Sequence, residues 1–261
     1  IVSTLAHELQ HMIHFHERNI LLGASTPTWL NEMMSLAAED LVEEWRGRRG
    51  PRGVDPSSYP DGSSGPVDNK FGRLPLYNLY NDISLTNWGG SGDVLESYSI
   101  AYAFGAYLGR NFGGAELYSA MMESGSSLSE SVISSAIESA GGAAGMTIEE
   151  LLWRWGAAVV LSDSLQSSPV RLNTDALNPS WMSSSVSSIG YDLGSIDHYN
   201  FTILNSRGEY QAGPYIHRGE IVTTSMPPVS KLLYLVGTDR TGTVDLEIEA
   251  SEGMDFAVVV K

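Results

Sequence analysis

The sequence predicts a mainly α domain over residues 1–165, followed by a small all-β, sandwich-like domain over residues 166–261. Three observations predict it. Apolar residues recur at helical spacing through the first part of the chain. Beyond about residue 165 the texture changes to short β-rich runs, "YNFTIL", "EIVTTS", "KLLYLVGT", "TVDLEIEA" and "DFAVVVK", separated by Gly, Asn, Asp and Pro. The length of 261 residues, 42% of them apolar, suits one large domain or two small ones.

The elements follow in order. Ile1 to Asn19 is helical in pattern. The loop "LLGASTP" comes next, with Thr26 as the expected N-cap and Pro27 at the first helical position. The second helix is "PTWLNEMMSLAAEDLVEEW", with Leu30, Met33, Ala37, Leu41 and Trp45 on one stripe. Residues 46–70, rich in Gly, Pro, Ser and Asp, read as a long surface loop. Arg46, Arg48, Arg49 and Arg52 form a basic cluster there and are expected to be solvated. Aromatic residues gather in "LPLYNLYNDISLTNW". A strong helix, "DVLESYSIAYAFGAYLGRNFGG", has Asp93 as its cap and Gly113 as its stop. Three shorter helices are expected in "AELYSAMMES", "SLSESVISSAIESAG" and "TIEELLWRWGAAVVLSD".

Charge and composition exclude several classes. A net charge of −16 argues against a nucleic-acid partner, because phosphate binding wants a basic face. The chain has no cysteine, so disulfides and thiolate metal sites are excluded. No run approaches the ~20 apolar residues of a membrane span. The chain opens on Ile1 inside a helical pattern and closes inside a strand-like one, so missing sequence is expected upstream, and at the C-terminus as well.

The first helix carries the chemistry. "HELQH" is H-E-x-x-H, with His7, Glu8 and His11. Residues four apart on a helix lie about 40° apart and one turn up, so two imidazoles can converge on one cation. Glu8 would lie beside the metal without ligating it, placed to take a proton from a zinc-activated water. Thr4, Leu5, Met12 and Ile13 flank the motif, so this helix is expected to be buried. A buried helix keeps such polar groups only if something satisfies them.

A catalytic zinc needs a third protein ligand and an open position. The pattern with a glycine turn and a third histidine fails, because His14 and Glu17 occupy the glycine and histidine places. His14 is two turns from His7, about 10 Å along the axis, too far for three rings of one straight helix to meet an ion. It is expected to be a packed or ring-supporting histidine, and His16 to be exposed. The remaining option is Glu32 on the second helix. Glu32, Ser35 and Glu39 share one face. Glu32 would ligate, and Glu39 or Ser35 would hold an imidazole from behind. His198 and His217, alone in the C-terminal part, are expected to be satisfied or exposed. The acidic loop "VDPSSYPDG" leaves calcium as a lesser expectation, because no D-x-D-x-D-G pattern is present.

"HELQHMIHF" followed by "WLNEMMSLAAED" resembles the gluzincin metallopeptidases, most of all the hyicolysin-like neutral metalloproteases. "YSIAYAFGAYLGRNFGG" is similar to the downstream helix of that family. The resemblance covers about residues 1–160 and implies a helical, zincin-type catalytic subdomain of a zinc endopeptidase acting on protein or peptide substrates. It places one catalytic zinc ion on His7, His11 and Glu32, with Glu8 as general base. It also implies Tyr98 as the oxyanion donor, with Tyr102, one turn on, as the substitute. Met33 departs from the glycine that often follows the ligand glutamate. The family's β-rich lobe, which precedes the zinc helix, has no counterpart in the six residues before His7. A secreted or cell-surface protein of bacterial type is implied. Two alternatives stand beside this reading: a zinc aminopeptidase, for which no anchor of a free α-amino group is visible, and a surface-binding protein with an idle metal site.

Overall fold

The computed structural model describes residues 2–45, 72–90, 92–161, 196, 198–205, 207–218, 225–237, 242, 245–249, 251–254 and 256–258. The arginine cluster at 46–52, the "VDPSSYPDG" loop and the junction at 165/166 lie outside them.

Seven α-helices carry the described fold. They are α1 (Val2–His14), α2 (Thr28–Trp45), α3 (Arg73–Leu79), α4 (Val94–Phe112), α5 (Ala115–Glu123), α6 (Ser129–Ser139) and α7 (Ile148–Leu161). α1 runs on into a π-helical turn, Phe15–Leu21. The predicted caps of α4 are observed. The Asp93 side chain accepts from the Leu95 N–H at 2.9 Å, and Gly113 ends the helix at φ +113°, a conformation open to glycine. α2 begins one residue later than expected. The Pro27 carbonyl accepts from the N–H of Asn31, which makes Pro27 the cap. The Thr26 hydroxyl is taken instead by Arg18 Nε, at 2.8 Å.

One core joins helices α2 through α7. Leu30, Met33, Leu36, Phe104, Leu108, Ile137, Trp155 and Val159 are buried in it, with further residues from α3, α5 and α6. A truncation such as Leu30→Ala costs about 2–5 kcal/mol in such a setting. α4 comes close to α2 at Gly105, where a Cβ would stand 2.8 Å from Met33 Cγ. A buried ion pair between Arg110 Nη1 and Asp40 Oδ2, 2.8 Å apart, ties the same two helices. Tyr102 donates to the same carboxylate at 3.2 Å. Arg18, in the π-helical turn, is fully buried. Its guanidinium caps the carbonyls of Met121, Ser124 and Ser126 and so fixes the end of α1 against α5 and the turn after it.

α1 corrects an expectation. It lies against α2, but Leu5 is 63% exposed, Met12 69% and Ile13 48%, and Thr4 is exposed too. On α1 the buried residues are His7 and His14. The polar stripe, not the apolar one, faces α2, because α2 presents Asn31, Ser35 and Glu39 to hydrogen-bond it.

The strand region is small. β1 (Thr202–Leu204) pairs antiparallel with β2 (Tyr210–Ala212), and β3 (His217–Arg218) pairs parallel with β4 (Tyr234–Leu235). Residues 245–249 and 256–258, the described parts of "TVDLEIEA" and "DFAVVVK", form no strand. Leu246, Phe256 and Val258 are exposed there, without the packing partner a strand face needs. Ile196 and Phe201 enter the helical core. Asn78 of α3 donates to the carbonyls of His198 and Phe201 at 2.9 and 2.8 Å.

Candidate metal centre

The site is assembled from α1 and α2, which run antiparallel: His7 meets Glu39 while His11 meets Asn31. Three donor atoms converge. His7 Nε2 and His11 Nε2 are 3.1 Å apart, and Glu32 Oε2 lies 3.2 Å from the first and 3.4 Å from the second. Among the described residues this is the group of three metal-ligating side chains brought together. Ligand atoms around a tetrahedral zinc, at bond lengths near 2.0–2.1 Å, lie about 3.3–3.4 Å from one another. The three atoms fit that spacing.

The ring orientations agree with it. His7 Nδ1 donates to Glu39 Oε1 at 2.8 Å, and Glu39 is 4% exposed, a buried carboxylate and not a solvated one. His11 Nδ1 is shared between Asn31 Oδ1 and Ser35 Oγ, each at 3.1 Å. Ser35 in turn donates to Gln10 Oε1. With both Nδ1 atoms committed, each ring turns its Nε2 toward Glu32. Glu32 Oε2 is buried and takes no aligned hydrogen bond among the described residues. Such an atom facing two imidazole nitrogens calls for a positive charge.

The electrostatics say the same. The Glu32 contact and the Glu39 hydrogen bond raise His7 from its ordinary 6.5 to about 9, against the opposing effect of burial. Without a metal, a proton on His7 supplies the charge. Burial pushes the Glu32 carboxyl up, but the His7 contact, the charges of His11 and His7, and the Tyr98 phenol leave it below its usual value.

Glu8 is exposed, and its charge reaches the Tyr98 phenol. Tyr98, on α4, has its ring centre 6.4 Å from that of His7. Burial, then the charge of Glu32, raises its phenol above 10, with Arg73 acting in the opposite direction. Tyr102 is 1% exposed and turned to Asp40, away from this cluster.

His14 is buried beside the site with neither ring nitrogen hydrogen-bonded among the described residues, and burial lowers it to about 4. His16 is exposed, as expected, and pairs with Glu17 at 3.0 Å. His198 is buried, its Nδ1 against Asn78 Oδ1 at 3.1 Å. His217 sits between the rings of Tyr215 and Tyr234, with Asp82 3.6 Å away. Sequence reasoning missed Asn31 and Gln10. The signal for Asn31 was present: Asn31, Ser35 and Glu39 recur at i, i+4, i+8, a polar stripe in an otherwise apolar helix.

The sequence profile of the Peptidase M30 family matches residues 1–174. The chain belongs to the peptidase M30 family. The matched part of this M30 chain holds all seven described helices and the His7–His11–Glu32 cluster; the described strands lie beyond it. Over 114 residues the chain is 28% identical to the neutral metalloprotease ShpI of Staphylococcus hyicus. That stretch covers 41% of this M30 chain and 21% of the relative, so the likeness spans about a fifth of the longer protein. The resemblance to hyicolysin-like metallopeptidases is thereby borne out.

Proposed function

We propose that the chain is a zinc-dependent endopeptidase, with His7, His11 and Glu32 as the metal ligands, Glu8 as general base and Tyr98 as oxyanion donor. The observation that carries the reading is the convergence of two Nε2 atoms and one carboxylate oxygen at the spacing of a tetrahedral ion. M30 membership and the likeness to a neutral metalloprotease support it. Zinc, when bound, acidifies water and polarises a peptide carbonyl.

The chain's own residues do the rest. Glu39 and Asn31 hold the two imidazoles in one tautomer, so no reorganisation is needed at the moment of reaction. Glu8, exposed beside the ligand pair, accepts the proton of the attacking water and delivers it to the leaving amine. Tyr98, on α4 with its ring 6.4 Å from that of His7, donates to the oxygen that becomes negative. Residues 166–261 are proposed as an accessory sandwich-like unit. A secreted or cell-surface setting is proposed with it; no helix among the described residues is long and apolar enough to cross a membrane.

Incubation of the zinc-loaded chain with an unstructured protein tests the function. Internal cuts are expected, and trimming from the free amino end alone would replace this reading with an aminopeptidase. Glu8→Gln should keep its zinc and lose about 10²–10⁴ in rate. Normal cleavage by that variant would remove Glu8 from the role of base.

A further inference from the structure

Tyr98 stands on α4, apart from the helix pair that carries the rest of the centre. A phenol that meets a developing oxyanion is effective only if its ring is already fixed, because ordering a free side chain during the reaction costs entropy. The phenol interacts with Glu32, and two further side chains lie against the ring. The guanidinium carbon of Arg73 lies 4.7 Å from the centre of the Tyr98 ring, over its face. The Trp88 indole meets the same ring edge-on, at 4.9 Å between centres and 77° between planes. Arg73 is the first residue of α3, where a cation faces the positive end of the helix dipole. Helix stability therefore does not account for an arginine there, and its guanidinium stacks on Tyr98.

We propose that Arg73 is a positioning residue for Tyr98. Its planar guanidinium, together with the Trp88 edge, clamps the phenol toward the His7–Glu32 side of the centre. Arginine suits the task, because its flat group stacks on a ring face where the compact, hydrated ammonium of lysine does so less well. The inference rests on the reading of Tyr98 as oxyanion donor.

The test compares R73M, R73K, Y98F and the double variant R73M/Y98F in the zinc-loaded chain. R73M is expected to lower kcat about 3- to 30-fold with KM for a neutral peptide within about 2-fold. R73K should recover part of that loss. Combined with Y98F, R73M should cost nothing further. A readout independent of activity comes from NMR of the metal-free chain carrying ring-13C tyrosine. The Tyr98 signals, identified by their absence in Y98F, should move and average in R73M while the melting temperature holds. Should R73M fail to fold, R73K carries both measurements. A rise in KM alone, a full additional loss in the Y98F background, or unmoved Tyr98 ring signals would overturn the proposal. Full activity of Y98F would instead remove the oxyanion role, with the ring signals still deciding whether Arg73 holds Tyr98.

Discussion

Two buried histidines in this molecule behave oppositely. His7 is raised to about 9 and His198 is lowered to about 3. Around His7, acceptors meet both ring nitrogens: Glu39 at Nδ1, and Glu32 with a second imidazole nitrogen at Nε2. Around His198, burial comes first, and Lys231 and Arg110 add positive charge. There the polar groups are spread over aromatic faces. Lys231 Nζ rests 3.0 Å from the centre of the Trp155 ring, and the His198 and Tyr77 rings are 5.1 Å apart. Burial of polar side chains does not by itself mark a site. What separates the two clusters is that one lacks a positive charge and the other already holds too much.

The largest effect should come from removing a donor atom. His11→Ala is expected to lower zinc affinity by more than the about 10- to 100-fold typical of ring-supporting residues, read by titration calorimetry. Unchanged affinity would make the two clusters equivalent. Glu39→Gln should fall within that 10- to 100-fold range, because it leaves all three donor atoms and weakens only the hold on His7.

Acid should separate the clusters in the metal-free chain. His198 is neutral in the folded state down to about pH 3, while an unfolded histidine takes up its proton near 6.5. Its contribution to stability, and with it that of His14, lowered to about 4, is therefore lost as pH falls from 6.5, at up to about 1.4 kcal/mol per pH unit for each group. His7 has the opposite sign. Its contribution is complete below 6.5 and is lost as pH rises through about 9. Urea unfolding at pH 4.5, 7 and 9 reads both limbs, and a flat profile would contradict the contrast. The smallest effect should belong to Lys231→Met. It removes a buried amine with no hydrogen-bond partner among the described residues and should shift stability by no more than about 1 kcal/mol, with zinc binding unchanged.

The His7–His11–Glu32 cluster was largely legible in the sequence because its parts are local. His7 and His11 are one turn apart, and Glu32 follows on the next helix after a short loop, so spacing alone limits where they can point. Asp93 and Gly113 bounded α4 for the same reason: a cap is a matter of two or three residues. What failed depends on neighbours. The apolar flanks of α1 suggested a buried helix, yet periodicity says which face is apolar and not what covers it. The apolar runs at 245–249 and 256–258 read as strands, but strand formation is decided by a pairing partner that no local pattern specifies. Arg73 and Trp88 were invisible as site residues, because their link to Tyr98 is a ring contact between separate elements.

The central claim is that three side chains on α1 and α2 hold one ion. Elemental analysis of the purified chain after equilibration with limiting zinc, beside Glu32→Ala, tests it most directly. One zinc per chain for the unaltered protein and none retained by Glu32→Ala is the expected result. Equal zinc in both would contradict the account.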